Sequence, residues 1–351
     1  MTSPLPDPAD KPLLRALSRQ PTARPPFWFM RQAGRYLPEY RAIRAKARDF
    51  VALCLTPELA TEITLQPLRR FDMDAAILFA DILLLPKALG QPLEFREGEG
   101  PVLAPIRDAA AVDRLDPGPM HERLAPVYET VRCVAAALGP DKTLIGFAGA
   151  PWTVATYMVE GHGGTDFATI KSWAWRDPGG FGRLIDRLVE TTVAYLGAQI
   201  EAGAEAVQVF DTWAGALPAD QFRRWCVAPL AEIVRRLRVR HPNVPVIGFP
   251  RGAAAMAPEL VDATGIDAIG IDWSVDPRWA ARRLQPRAAV QGNLDPRLLV
   301  VGGTPMREAT EAILAALGHG PFVFNLGHGI VPETPPEHVQ AVSEQVRSWR
   351  P

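Results

Sequence analysis

The sequence has few cysteines and almost no net charge, and both shortages narrow the possible functions. Cys54, Cys133 and Cys226 are far apart, and no Cys-x-x-Cys or His-x-Cys spacing occurs in the 351 residues. This argues against a zinc cage or a disulfide framework and fits a reducing compartment. The formal net charge of −1 offers no broad basic surface, so we expect no nucleic-acid partner.

Long apolar runs are also missing. The most apolar window, Ala75 to Leu89, is interrupted by Asp81 and Pro86, and it is too short to span a bilayer. Residues 1–25 are rich in proline and lack the apolar core of a signal peptide. We therefore expect a flexible N-terminal lead over residues 1–25 and a cytoplasmic protein without a membrane segment.

Lysine is scarce, with five lysines against 33 arginines. Because arginine is so common in this chain, a single arginine indicates a functional site only where its position is unusual. The apolar run Phe27–Met30 is followed directly by Arg31, Gln32, Ala33, Gly34 and Arg35. The small Ala33 and Gly34 let a ligand approach the backbone closely. Each guanidinium can hold a carboxylate or phosphate through two parallel hydrogen bonds. The segment predicts a clamp for a ligand with several negative groups.

Eight short apolar runs with little alternation recur along the chain, as expected for strands buried on both faces. They are Phe27–Met30, Ala75–Phe79, Leu144–Ala148, Ala206–Phe210, Val244–Phe249, Ala268–Ile271, Ala288–Gln291 and Phe322–Asn325. Amphipathic helical stretches lie between them. The pattern predicts an α/β protein, a single-domain (β/α)8 TIM barrel over residues 26–351, with a doubly wound open sheet as the alternative. Residues 91–105 resemble a hairpin insertion, and 150–180 a long loop with a short helix.

Polar residues follow several predicted strands, where a barrel places its chemistry. Asp81 follows the second run, Tyr157 the third, Thr212 the fourth and His328 the eighth. Each has a structural alternative. Asp81 and Thr212 are common helix caps, Tyr157 suits a core, and His328 lies on a glycine-flanked turn where histidine is often structural. Arg251 also follows a strand, and the sequence alone gives it no role.

Cofactor motifs are missing from the same strand ends. The sequence contains no phosphate-binding glycine loop with lysine, no G-x-G-x-x-G after a strand and no compact set of metal ligands. What it offers is an anion clamp, a carboxylate in apolar surroundings and a few hydrogen-bonding groups. These residues therefore indicate no obvious cofactor.

Four segments resemble a known family, uroporphyrinogen decarboxylase, from about Pro26 to near the C-terminus. They are residues 30–41 (MRQAGRYLPEYR), 146–153 (GFAGAPWT), 291–296 (QGNLDP) and 325–329 (NLGHG). The resemblance implies a (β/α)8 barrel, usually a homodimer, in haem and chlorophyll synthesis. It also implies a carbon–carbon lyase that needs no cofactor. Such an enzyme converts uroporphyrinogen III to coproporphyrinogen III by removing CO2 from four acetate side chains.

The resemblance also assigns roles to residues of this chain. Asp81 matches the aspartate that binds the pyrrole N–H groups. Arg31 and Arg35 match contacts to substrate carboxylates, with the backbone of Gln32, Ala33 and Gly34 between them.

Further substrate contacts are implied on other strand ends. They match Tyr157, Thr212 (where some members have serine) and His328. Arg41 and Arg44 are expected to orient the loop.

Two other functions stay open at this point. A corrinoid or thiol methyltransferase on a related barrel would need zinc held by histidine and cysteine, and here no cysteine lies at a strand end beside a histidine. A non-catalytic tetrapyrrole-binding protein would keep the clamp, but the intact Asp81 favours an enzyme.

Overall fold

The computed structural model describes residues 11–96 and 98–351. In this part of the chain, seven parallel strands form one curled sheet in the order β1-β4-β5-β6-β7-β8-β9, and β2 pairs with β3 as a separate antiparallel hairpin. The strands are β1 (Ala75–Ile77), β2 (Leu93–Arg96), β3 (Gly100–Leu103), β4 (Thr143–Gly149), β5 (Ala206–Asp211), β6 (Val246–Pro250), β7 (Ala268–Gly270), β8 (Ala289–Leu294) and β9 (Phe322–Leu326).

Helices surround this sheet, and many of them begin with proline in the first turn, where its missing N–H costs nothing. They are α1 (Pro12–Leu17), α2 (Pro38–Arg44), α3 (Phe50–Cys54), α4 (Pro57–Phe71), α5 (Leu84–Ala88), α6 (Ala109–Asp113), α7 (Met120–Ala137), α8 (Pro151–Glu160), α9 (Ala168–Arg176), α10 (Pro178–Glu201), α11 (Ala219–Phe222), α12 (Ala228–Arg240), α13 (Ala257–Thr264), α14 (Pro277–Arg283), α15 (Pro296–Val301), α16 (Gly303–Leu317) and α17 (Pro336–Ser348). With helices outside and side chains inside, every residue of β4, β6, β8 and β9 is buried, which explains the lack of alternation.

The first predicted strand, Phe27–Met30, is not a regular strand. It makes one parallel bridge, between Phe27 and Phe324 of β9. On its other side, the N–H of Asp74 donates to the carbonyl of Phe27 at 3.0 Å, just before β1. The segment therefore fills the gap between the two edge strands and completes the barrel. It leaves the ladder early because the N–H of Met30 donates to a side chain, Oδ1 of Asn325 (3.1 Å).

Two other predicted segments also end differently. The run Ala75–Phe79 pairs only as far as Ile77, because the N–H of Phe79 donates to Oγ1 of Thr64 (3.1 Å). Residues 150–180 contain two helices, α8 and α9, and the start of α10, instead of one short helix in a long loop. The hairpin expected within 91–105 is present as β2 and β3.

Part of the predicted N-terminal lead is packed against the barrel. Leu13, Ala16 and Leu17 of α1 are buried, and Nζ of Lys11 lies 2.7 Å from a carboxylate oxygen of Glu205. Residues 11–17 of the expected lead are thus packed on the barrel, and residues 1–10 lie outside the described residues. The domain boundary at residue 25 stays a prediction. Across the described ranges, no helix is long and apolar enough to cross a membrane.

Candidate active site

The loop from Arg31 to Arg35 is held in place by Gln32. The side chain of Gln32 is fully buried; its Oε1 accepts the N–H of Phe29 and its Nε2 donates to the carbonyl of Ala75, both at 3.0 Å. The backbone carbonyl of Gln32 accepts the hydroxyl of Tyr36 (2.8 Å), and its N–H donates to the carbonyl of Phe29. These groups of Gln32 are all used within the protein, so it supports the loop.

The backbone beyond Gln32 is more open. Within 11–96 and 98–351, the N–H groups of Ala33 and Gly34 donate to no backbone carbonyl. Two successive N–H groups on a loop can bind an anion, so this part of the backbone is available to a negatively charged ligand.

The outer end of the loop is fixed by Arg41. Its guanidinium donates to the carbonyls of Arg35 (2.9 Å) and Tyr36 (3.0 Å). Arg44 reaches only the carbonyl of Ala47, at 3.4 Å. Of the two arginines of α2, Arg41 therefore orients the loop and Arg44 has no contact with it in this structure.

The two arginines of the loop are exposed. Arg31 has a φ of 58°, a left-handed conformation that is costly for a residue with a side chain, and its aliphatic stem lies so close to Gly329 that a Cβ there would overlap it. Arg35 lies further out. The charge of Arg35 acts on Glu333. The pKa of Glu333 is lowered first by a hydrogen bond from the backbone of Glu333 itself and then by one from Arg297, and the positive charge of Arg35 lowers it further. Among the described residues neither Arg31 nor Arg35 forms an ion pair, so both can receive a ligand's carboxylates.

Asp81 lies just beyond β1 and is half-buried. Its Oδ1 accepts the N–H of Leu83 (2.8 Å), so the carboxylate shapes the turn before α5, but the N-cap of α5 is Leu83, so Asp81 is not the helix cap that its structural alternative predicted. Burial raises the pKa of Asp81, while the Leu83 N–H and the charge of Arg31 act in the opposite direction. Among the described residues that hydrogen bond reaches only one of the two oxygens, which leaves Oδ2 for a donor in the cleft.

Tyr157 of α8 lies near Asp81 and Arg31. Burial is the main cause that raises the pKa of Tyr157; the charge of Asp81 adds to it and that of Arg31 opposes it. The tyrosine ring lies 6.2 Å, centroid to centroid, from the indole of Trp213. Thr212, next to Trp213, is half-buried at the end of β5.

The turn that carries Thr212 is fixed from below by Asp211. Oγ1 of Thr153 donates to Oδ1 of Asp211 (2.5 Å) and accepts the N–H of Trp213 (3.1 Å). Burial raises the pKa of Asp211 to about 6, and the hydrogen bonds from Thr153 and Cys226 oppose this shift. This buried carboxylate therefore positions the turn of Thr212 from within the protein.

His328 lies on the turn after β9, and its ring is 6.2 Å from that of Phe249, centroid to centroid. Burial, then the charges of Arg31 and Arg251, lower the pKa of His328 to about 3, with Asp272 opposing. The imidazole is therefore neutral at physiological pH.

These side chains come together at the carboxyl ends of the strands. The charge of Arg31 acts on Asp81, Tyr157 and His328, so these four side chains lie near one another; we call the space between them the cleft, and the exposed Arg35 belongs to the same loop as Arg31. The arrangement combines one carboxylate, two exposed guanidiniums and neutral hydrogen-bonding groups. It can bind a polyanionic ligand and stabilise a positive charge near its centre.

Comparison with known proteins identifies the family. The model of the uroporphyrinogen decarboxylase (URO-D) family matches residues 8–349. The chain belongs to the uroporphyrinogen decarboxylase family. A uroporphyrinogen decarboxylase of Rhodospirillum rubrum is 54% identical over 346 residues, covering 99% of each chain. One from Acidiphilium cryptum is 55% identical over 343 residues, covering 98% of this chain and 96% of the relative.

A solved structure supports the fold alone. A methyltransferase from Methanosarcina mazei superposes with a TM-score of 0.81 at 20% identity, covering 95% of this chain and 97% of the other. Membership of the uroporphyrinogen decarboxylase family confirms the predicted barrel and enzyme class, a carboxy-lyase of tetrapyrrole biosynthesis. The residues that the structure describes contain no cluster of three His, Cys, Asp or Glu side chains that could hold a metal ion.

In this member of the uroporphyrinogen decarboxylase family, one part of the site was not predicted from the sequence. Phe147, Phe210 and Phe249, near the ends of β4, β5 and β6, form an aromatic wall, with ring centroids 5.6 and 6.1 Å apart in edge-to-face contacts. Each lies inside a predicted strand, so each was counted as core. The available signal was that all three occupy the last or next-to-last inward positions of neighbouring strands, beside the polar strand ends.

Proposed function

We propose that Asp81 is the central residue in the decarboxylation of uroporphyrinogen III to coproporphyrinogen III by this protein. The observation that carries this proposal is the Asp81 carboxylate in the cleft, with one oxygen unused among the described residues and with Arg31 and Tyr157 around it. The substrate has four inward-pointing pyrrole N–H groups, and one carboxylate can receive them all. Asp81 would hold the macrocycle by its centre.

The rim of the cleft suits the rest of the substrate. Uroporphyrinogen carries eight carboxylates at its periphery, and Arg31 and Arg35 can each bind one bidentately. The N–H groups of Ala33 and Gly34 can add hydrogen bonds to the same anions, while Gln32 holds the loop in position.

The aromatic wall of Phe147, Phe210 and Phe249 suits the remaining surface of the macrocycle. Its rings lie at the ends of three neighbouring strands. They would contact the apolar faces of the pyrrole rings, so that the charged groups of the site bind only the periphery and the centre.

The neutral groups of the site would orient the substrate. His328 is uncharged at physiological pH because burial and two guanidiniums lower its pKa to about 3. It can therefore exchange a hydrogen bond with a carboxylate or a pyrrole without adding charge. The hydroxyls of Tyr157 and Thr212 can do the same from α8 and from the end of β5.

The reaction needs a place for the electrons that remain when CO2 leaves. Protonation of the pyrrole carbon beside the reacting acetate gives a cation that accepts the electron pair of the breaking C–C bond. The carboxylate of Asp81 would stabilise this cation as it forms, which lowers the barrier because the interaction is stronger in the transition state than in the ground state. A proton added to the exocyclic carbon then gives the methyl group, and loss of the first proton from the ring carbon restores the pyrrole, so that each acetate takes up one proton in total.

The first proton comes from the substrate or from water in this scheme. Arg31 is close to Asp81, but an arginine pKa above about 12 makes it a poor general acid. A carboxylic acid group of the substrate, or a water molecule in the cleft, has a more suitable acidity. Arg31 would bind and orient the acetate until its bond breaks.

Incubation with uroporphyrinogen III under anaerobic conditions tests the proposal. The products are oxidised to porphyrins and separated by chromatography, and we expect species with seven, six, five and finally four carboxylates. A purified protein that binds the substrate but leaves all eight carboxylates in place would instead be a tetrapyrrole-binding protein. Treatment with a metal chelator should leave the rate unchanged, because we propose a reaction without a metal or organic cofactor.

We also propose that the protein is a homodimer, as the resemblance implies, and that it is cytoplasmic, which its widely separated cysteines support. Analytical ultracentrifugation of the purified chain should give a mass of about twice the 38.3 kDa of one chain. A monomer at micromolar concentration would contradict this proposal. Fractionation of the source cells would test the compartment.

A further inference from the structure

We infer that Arg251 and Trp273 form a second carboxylate-binding position on the side of the cleft opposite the Arg31–Arg35 loop. The inference rests on the proposed substrate and extends it to residues that the family resemblance did not assign. In the closed barrel the segment at residues 26–29 lies between β9 and β1, and β6 is the fourth neighbour from it in either direction. Arg251 directly follows β6, so it faces Arg31 across the mouth.

The backbone around Arg251 is fixed on three sides. Its N–H donates to the carbonyl of Asp211 (3.1 Å), and its carbonyl accepts the N–H of Gly215 (3.0 Å). The next residue, Gly252, donates its N–H to Oδ2 of Asp272 (2.6 Å). Such a loop presents its side chain in one place, as a binding residue requires.

The guanidinium of Arg251 lies over the indole of Trp273, with its Cζ 5.2 Å from the ring centroid. Trp273 is 43% exposed, an unusual position for so large an apolar group. The adjacent carboxylate, Asp272, is already committed: besides Gly252, it accepts the N–H (2.9 Å) and the hydroxyl (2.5 Å) of Ser274. Within the described residues, Arg251 forms no ion pair, so its charge is available to a ligand.

A continuous line of contacts joins this pair to the side of the cleft that carries Arg31. The backbone of Gly327 lies so close to the N atom of Trp273 that a Cβ would overlap it, and Gly329 lies as close to the stem of Arg31. His328 lies between these glycines. Burial is the main cause that lowers its pKa, and the guanidiniums of Arg31 and Arg251 lower it further. Two positive charges therefore bracket a neutral imidazole, and an anionic ligand would compensate both.

The shape of the substrate explains why two positions are needed. The substrate macrocycle carries carboxylates around its whole periphery. The Arg31–Arg35 loop alone would hold just one edge of it. Arg251 would receive a carboxylate from the opposite edge, with the face of Trp273 keeping the guanidinium in position and covering the carboxylate's aliphatic stem. The substrate would then be held at its centre and at two opposite edges.

Steady-state kinetics with uroporphyrinogen III test this role. We expect Arg251→Gln to raise KM roughly ten- to hundredfold, the usual effect of losing a charged hydrogen bond, while kcat changes less than about twofold. Arg251→Lys should recover part of the affinity, because lysine keeps the charge but not the fork. Arg183→Gln, at an exposed arginine of α10, is the matched control and should leave KM unchanged.

Two results would overturn the inference. One is an unchanged KM in Arg251→Gln; the other is an Arg251→Lys variant no better than Arg251→Gln when both melt like the wild type. If the wild type shows no turnover, the proposed function fails, but the inference is still tested by anaerobic titration of uroporphyrinogen against tryptophan fluorescence. Weaker binding by Arg251→Gln than by the wild type would support it there, and equal binding would refute it.

Discussion

Replacement of Asp81 by asparagine separates the charge of this side chain from its structural role. In Asp81→Asn the side-chain oxygen can still accept the N–H of Leu83, so the turn into α5 should persist. The negative charge is removed, and Oδ2, which we propose receives the pyrrole N–H groups, becomes an NH2 group that cannot accept a hydrogen bond. We therefore expect a folded protein that has lost most of its turnover.

The size of the loss follows from the distance between charges. A cation on the reacting ring about 4 Å from a carboxylate is stabilised by roughly 4 kcal/mol at an effective dielectric constant of about 20. Each 1.36 kcal/mol of lost transition-state stabilisation costs about tenfold in rate, so kcat should fall by about a thousandfold. The assay is the release of CO2 at saturating uroporphyrinogen, with porphyrin chromatography to identify the products.

The stability of the same variant provides an internal control. Burial raises the pKa of Asp81, so at neutral pH its ionised form is less stable in the fold than in water, and Asp81→Asn should melt at the same temperature as the wild type or higher. Asp81→Ala, which also removes the hydrogen bond to Leu83, should lose about 1 kcal/mol of unfolding free energy. A near-normal kcat in a well-folded Asp81→Asn would refute the role of this carboxylate.

Three further changes test the surroundings of Asp81. Arg35→Lys should raise KM by about fivefold, because lysine cannot bind a carboxylate bidentately; an unchanged KM in steady-state assays would count against the clamp. His328 has a folded pKa of about 3, below its ordinary value of about 6.5, so the unfolded chain takes up the proton first as the pH falls through this window and stability is lost. His328→Asn should therefore keep up to about 2 kcal/mol more of its unfolding free energy at pH 5 than the wild type does, relative to pH 7, in denaturant titrations. For Asp211 the pKa shift has the opposite sign, because burial raises the folded pKa to about 6. The protonated form therefore stabilises the fold below about pH 4. This contribution is lost as the pH rises through the folded pKa. Asp211→Asn should therefore increase the unfolding free energy at pH 7 by up to about 3 kcal/mol, and a lower melting temperature there would contradict the assigned pKa.

The barrel could be predicted from the sequence because its strands are buried on both faces and therefore appear as short apolar runs. The prediction failed at Phe27–Met30, because composition cannot show that the N–H of Met30 turns to the side chain of Asn325 instead of a strand. The expected hydrogen-bonding pattern, and not the burial, was wrong there. Trp28 and Phe29 are fully buried, as the apolar run indicated.

The candidate site was predictable where a polar residue interrupts an apolar strand end, as at Asp81 and His328. It was not predictable where site and core use the same residue type, as for Phe147. The support given by Gln32 was also hidden, since its side chain bonds to Phe29 and to the distant Ala75. Contacts between residues far apart in the chain depend on the closed barrel, which no local pattern encodes.

The segment that completes the barrel has a consequence for how the protein opens. Residues 26–29 join the two edge strands through few backbone hydrogen bonds, so this seam is held mainly by the burial of Phe27, Trp28 and Phe29. The same few residues lead directly into Arg31, so a ligand held by the loop also holds the seam shut. Occupancy of the cleft should therefore slow amide hydrogen exchange and proteolytic cleavage in this segment and in the two edge strands that it joins.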